Sequence, residues 1–283
     1  MKLPFYFLFY LLFQTFFSTA QTNILKGTVQ ESSTKEALGY VNIGWVDRQL
    51  GTVSDEQGNF ELALPENLPD SALLRFSMIG YEAQEFLWKD IKGQNQLAVN
   101  LTSVVTAIEE ITVVDCSPTT RKQKGNVIRQ RPMAWMGFVS KELGTEIASK
   151  IRLKKKRQTH VKSMSFWVGE HDLDSLFFRL NVYAVEKGQP GKNLLTENIF
   201  LTFVASGEQV VIDLEPYHLV YNEDIFIGLE YVRTLESASE EGVDFGSNFL
   251  GKNSFVRFAS QAQWVKTPIL NLGFSIEVCE DKQ

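Results

Sequence analysis

The sequence predicts an all-β protein made of two consecutive β-sandwiches. Apolar and polar residues alternate along many short runs in both halves of the chain, the period of a half-buried strand. Turn-forming residues punctuate those runs at short intervals. No segment carries a sustained helical stripe of apolar residues. Phe is frequent, at 21 of 283 residues, and favours strands. At 44% hydrophobic and 22% charged, the chain has the make-up of a folded protein and the length for two cores.

The chain begins MKLPFYFLFYLLFQTFFSTAQ. Lys2 precedes an apolar run from Phe5 to Phe17, and Ser18, Thr19 and Ala20 supply small residues for cleavage before Gln21. Gln14 and Thr15 interrupt the run, which falls short of the ~20 apolar residues of a spanning helix. Residues 1–20 are therefore expected to be a cleaved secretory signal, with an uncleaved anchor as the rival reading. No Cys follows the cleavage site for lipid attachment, and no later stretch has the length and apolarity to span a bilayer. The expected location is periplasmic, cell-surface or secreted.

Residues 21–114 are expected to form the first sandwich, of seven short strands. Ile24–Gln30 reads as the first strand and Tyr40–Trp45 as the second. Gly51–Phe60 (GTVSDEQGNF) reads as a β-hairpin, in which Asp55 bonds to its own turn and Gly58 takes a positive φ. Beyond the turn, Phe60, Leu62 and Leu64 alternate with polar or small residues. Pro65 to Asp70 is a loop. Leu73–Ile79, Glu85–Trp88 and the Leu97, Val99, Leu101 alternation continue the sheet, and Ile111–Val114 ends the domain.

These pieces in this order resemble the carboxypeptidase-regulatory-like domain, a transthyretin-like (prealbumin-like) β-sandwich common in bacterial envelope proteins. The resemblance rests on Leu25–Val29, Tyr40–Ile43, Gly51-Thr52, Asp55 with Gly58-Asn59-Phe60, Phe76–Tyr81 and Ile108–Val114. It covers about a third of the chain. Ala37 departs from it, standing where the family often has Pro. The resemblance implies a non-catalytic accessory module. The transporters that carry such domains continue into a plug and a long barrel, for which the remaining residues are too few.

Residues 115–132 read as a linker, and residues 133–283 as a larger, jelly-roll-like sandwich. Its strands are expected at His160–Val168, Leu176–Val185, Glu208–Leu214, Asp224–Val232 and Ile269–Val278. Turns are expected at Gly188–Gly191 and Tyr221–Glu223. The order resembles jelly-roll modules of surface and carbohydrate-binding proteins.

The formal charge of −6 argues against nucleic acid as a partner. Charge is nonetheless uneven. Between Arg121 and Lys162 stand thirteen Lys and Arg against two Glu. The sharpest part, Arg152, Lys154, Lys155, Lys156 and Arg157, is a candidate contact for an envelope protein or a polysaccharide. Its rival reading is a solvated hairpin tip that protects a sheet edge. Cys116 and Cys279 are the only cysteines and are candidates for a disulfide, or else for two buried thiols.

Asp172 and Asp174 between two strands are too few for a calcium loop. The three histidines and two cysteines sit in none of the familiar hydrolase motifs, so no catalytic residue, cofactor or metal is assigned. Tyr217, Tyr221 and Trp264 are the candidate sugar-stacking residues, whereas Trp167 and Tyr183 are expected in the core. The leading expectation is a non-catalytic protein-interaction or scaffold module. A carbohydrate-binding module is second and a glycoside hydrolase third.

Overall fold

The computed structural model describes residues 23–94, 96–104, 121–138, 143–154, 157–171, 175–233, 242–249, 251 and 253–280. The expected signal segment and the expected strand Ile111–Val114 lie outside these residues. The regular structure of the described residues is almost all strand, in two sandwiches, as the alternation predicts.

The first sandwich contains β1 (Ile24–Glu31), β2 (Asn42–Trp45), β3 (Gly51–Val53), β4 (Asn59–Ala63), β5 (Leu73–Ser77), β6 (Gln84–Leu87) and β7 (Gln96–Leu101). A single turn of helix, α1 (Trp88–Ile91), precedes β7. One sheet runs β4–β1–β7, with β1 and β7 parallel, and the other runs β3–β2–β5–β6. Leu25, Val29, Phe60 and Leu62 face Ile43, Trp45, Leu74 and Phe76 across one core. Phe60 and Phe76 meet edge-on at 5.4 Å between centroids, the geometry that aromatic quadrupoles favour.

The expected hairpin at Gly51–Phe60 is not a hairpin. β3 pairs with β2 and β4 pairs with β1, so the turn carries the chain from one sheet to the other. The turn chemistry itself is as expected. Asp55 Oδ1 accepts the N–H groups of Gln57 and Asn59 at 2.9 and 2.8 Å, and Gly58 has φ +78°. An Asx turn followed by glycine reverses the chain but does not fix the plane of the reversal. Here β1 and β2 capture the two arms separately.

The second sandwich begins inside the segment read as linker. Its strands are β8 (Lys122–Gly125), β9 (Ala134–Phe138), β10 (Glu146–Ile151), β11 (Thr159–Trp167), β12 (Leu176–Glu186), β13 (Gln189–Asn193), β14 (Ile199–Phe203) and β15 (Gln209–Asp213). They continue with β16 (Val220–Tyr221), β17 (Ile225–Tyr231), β18 (Val243–Phe249), β19 (Ser254–Arg257), β20 (Val265–Lys266), β21 (Leu270–Leu272) and β22 (Ser275–Glu280). The largest sheet runs β13–β12–β17–β10–β19–β20, with β14 also on β12. A second runs β15–β11–β22–β8, with β16 also on β11, and a third runs β21–β18–β9. β8 is thus an edge strand paired with β22.

Two further expectations shift. The turn after β12 is Lys187-Gly188, both at positive φ, and Pro190 lies within the outer strand β13, where a missing donor is tolerated. The run Ile269–Val278 splits at Gly273-Phe274 into β21 and β22. The core between the sheets is rich in Phe: Phe166 lies 5.6 Å from both Phe203 and Phe245 and 5.8 Å from Phe274. Truncating one such buried ring to Ala costs about 3–5 kcal/mol.

Candidate functional site

β12 is buried along both faces from Leu176 to Tyr183. Phe178, Leu180 and Val182 enter the larger core. Arg179, Asn181 and Tyr183 point the other way, yet are only 1%, 2% and 5% exposed. Strand register explains what they meet. Arg179 stands opposite Glu230 of β17, Glu230 opposite Glu146 of β10, and Glu146 opposite Arg257 of β19. The result is a cross-strand row, Arg179–Glu230–Glu146–Arg257, spanning four strands, or about 14 Å at the usual strand spacing.

Two glutamates directly opposite each other repel, and burial raises that cost. The neighbours compensate. Arg179 donates from Nε to Glu230 at 2.9 Å, and Arg257 lies 2.6 Å from Glu146. The Asn181 amide donates to both carboxylates at 3.0 Å. Tyr183 donates its hydroxyl to Glu146 at 2.9 Å. Trp264 meets Tyr183 edge-on at 5.7 Å, and the Arg257 guanidinium sits 5.0 Å from the Trp264 ring centre.

Burial pushes the Glu146 carboxyl up to about 7, against the pull of Arg257 and with a further push from Glu230. Burial also lifts the Tyr183 phenol well above its ordinary value.

Arg179 also leaves its own domain. It donates to the Tyr40 carbonyl at 2.7 Å and to the Asn42 side chain, both in the first sandwich. Around it the two sandwiches share a buried cluster of Val53, Phe177 and Val232. Tyr40 packs there against Phe177 and Phe200 at 5.1 and 5.0 Å. Arg233 pairs with Glu56 at 3.0 Å, and the Tyr40 hydroxyl donates to the same carboxylate at 2.7 Å.

On the other side of Arg179, the loop after β19 enters the first sandwich. Ser260 is fully buried, and its carbonyl lies 2.0 Å from where a Cβ on Gly44 would stand and 2.7 Å from one on Gly51. Only glycine lets the strands approach so closely. Gln261 donates to Ser77 at 2.7 Å and accepts from the Asp47 N–H at 3.2 Å.

The residues singled out from sequence lie elsewhere, apart from Trp264. Tyr217 and Tyr221 are half-buried and pack against the larger core, and burial pushes the Tyr221 phenol up. Lys155, Lys156, Asp172, Asp174 and Cys116 lie outside the described residues. Cys279 is buried on β22 and is not a free thiol. Arg152 is exposed, Arg157 is half-buried, and Lys154 pairs with Glu280 at 3.3 Å.

Much of the basic stretch is matched by acidic groups of the same domain. Arg121 contacts Glu215 and Glu277, Lys162 contacts Glu215, Lys150 contacts Asp224, and Arg131 contacts Glu170. The buried row was missed from sequence. Part of its signal was present: Glu230 is the lone charge of β17, and Arg179 stands among Phe and Leu in β12.

The described residues thus form an all-β fold in which two β-sandwiches meet at Arg179. Residues 25–113 match the family model of the CarboxypepD_reg-like domain, so the first sandwich is such a domain. No curated protein matches the chain in sequence. Among solved structures, the cysteine protease and lectin-like domains of Cwp84, a surface layer associated protein of Clostridium difficile, are 10% identical with TM-score 0.41, covering 91% of this chain and 63% of that one.

The T13 particle of infectious bursal disease virus is 9% identical with TM-score 0.31, covering 91% of this chain and 61% of that one. BcpA, the major pilin subunit of Bacillus cereus, is 10% identical with TM-score 0.19, covering 89% and 69%. The chain therefore spans less than two thirds of the first two, and at these scores the likeness does not extend to a site. Among the described residues no helix is long and apolar enough to cross a membrane.

Proposed function

We propose that this is an exported, non-catalytic envelope protein that acts as a protein-interaction or scaffold module, with its two sandwiches held as one unit. The observation that carries the reading is Arg179. A guanidinium fixed in the row of the second sandwich is completed by backbone and side-chain oxygens of the first. Leaving such a buried charge without its partners is costly, so one relative arrangement of the domains is favoured. A rigid pair of sandwiches presents its sheet edges in fixed positions. β15 and β20 are such edges, carrying exposed Val211 and Val265, and unpaired edge backbone accepts an added strand. The CarboxypepD_reg-like match supports a non-catalytic role for the first sandwich.

Photocrosslinking amino acids placed at Val211 and at Val265 test this in envelope fractions of producing cells. A discrete protein adduct at either edge is expected. Its absence at both, together with a glycan-specific thermal shift, would replace this reading with carbohydrate binding. A ligand at 100 times its Kd adds ~2.7 kcal/mol, enough to see.

A further inference from the structure

The positive charge of the stretch 121–162 is not spread evenly once its ion pairs are laid out. Arg121 and Lys162 share Glu215 and Glu277, two cations against two anions. Lys150 is matched by Asp224 and Arg131 by Glu170. At Glu280 the balance fails. Lys122 and Lys124 lie 2.9 Å from its carboxylate and Lys154 lies 3.3 Å away, three cations on one anion.

The Glu280 side chain is itself 3% exposed, whereas those of Lys122 and Lys154 are 53% and 52% exposed. Burial would push the Glu280 carboxyl up, yet the three lysines outweigh it and hold it at about 2. Each ammonium has three donors, so the exposed lysines keep hydrogen-bonding capacity towards solvent. Arg152 and Arg157 lie two and three residues from Lys154, one exposed and one half-buried.

We propose that Lys122, Lys124 and Lys154, flanked in the chain by Arg152 and Arg157, form a binding surface for an acidic polysaccharide, which they engage through its carboxylate groups. The chemistry is already displayed within the protein, since the ligand these lysines now share is a carboxylate. Among the described residues, two net charges remain there for an outside anion. Geometry selects a polymer over a lipid leaflet. Lys122 and Lys124 stand two apart on the edge strand β8, about 7 Å along a line. A chain of uronate sugars presents its charges along a line, and a leaflet presents them over a plane. The surface adds a glycan contact to the protein-interaction reading and does not depend on it.

The test is titration of the purified protein with polygalacturonate, dextran and phosphatidylglycerol vesicles at low salt. Polygalacturonate is expected to bind, more weakly as salt screens the charges, and dextran is not. The variant Lys122→Gln/Lys154→Gln changes only half-exposed side chains and is expected to keep its fold by circular dichroism. It should bind about 25-fold more weakly, at roughly fivefold per lysine near a polyanion. Glu280→Gln leaves the lysines without their internal anion and should bind more tightly. Lys89→Gln/Lys92→Gln in the first sandwich should leave affinity unchanged. The proposal is overturned by no binding, by binding to vesicles alone, by affinity that ignores the Lys122 and Lys154 changes, or by equal loss in the Lys89 and Lys92 control.

Discussion

Replacing Arg179 with Met is the most direct test of how the two sandwiches are joined. Met keeps much of the apolar volume and removes the guanidinium. Glu230 then loses a 2.9 Å partner in a site where it is fully buried, and Tyr40 and Asn42 lose their donor. Breaking a buried ion pair from one side costs about 3–5 kcal/mol, because the other charge stays buried. At ~2–4 °C per kcal/mol for a domain of this size, the melting temperature should fall by about 10 °C. Glu230→Gln on the Arg179→Met background removes the stranded charge and should recover part of the loss, leaving a deficit of about 1–3 kcal/mol for polar groups still unsatisfied. Urea denaturation measures the stabilities, and limited proteolysis between the sandwiches reports their docking. If Arg179→Met stays within about 1 kcal/mol of the parent, which a buried pair broken from one side does not allow, or if the double variant is less stable than the single one, the row does not join the domains as argued.

Four other outcomes follow. Gly44→Ala places a methyl against the Ser260 carbonyl and should cost about 1–3 kcal/mol by overpacking, with faster hydrogen exchange at the Asp47 amide that bonds Gln261. Because Glu146 is raised to about 7 in the folded protein, its contribution to stability is full below its unfolded pKa and is lost as pH rises through 7. Glu146→Gln should therefore flatten the stability profile between about pH 5 and 8. Glu280, held at about 2, has the opposite sign: its contribution is present above the unfolded pKa and is lost as pH falls towards 2, so Glu280→Gln should flatten the acid limb. A Cys116–Cys279 bond makes the intact protein two hydrogens lighter by mass spectrometry under non-reducing conditions. Reducing that bond should cost about 2–5 kcal/mol.

Alternation revealed most of the strands because water reaches one face of many of them. β4 is buried at every second residue, and Phe60 and Leu62 could be assigned to the core from sequence. The same rule misplaced the face of β12 that matters most. Read by period, Arg179 and Asn181 belong to a solvent face, since polar residues that alternate with Phe, Leu and Val normally meet water, whereas Tyr183 beside them is buried as expected. Here the first sandwich and the loop carrying Ser260 cover that face, and nothing in a period of two records a cover supplied from distant parts of the chain. Register hides the rest. Glu146, Arg179, Glu230 and Arg257 come from four separate strands and align only once β10, β12, β17 and β19 are paired. A lone charge inside an apolar strand is ambiguous by itself, but Arg in one strand and Glu in two others satisfy one another when neighbours. The arch at Asp55 has the same cause: local chemistry fixed the turn, and distant partners chose its plane.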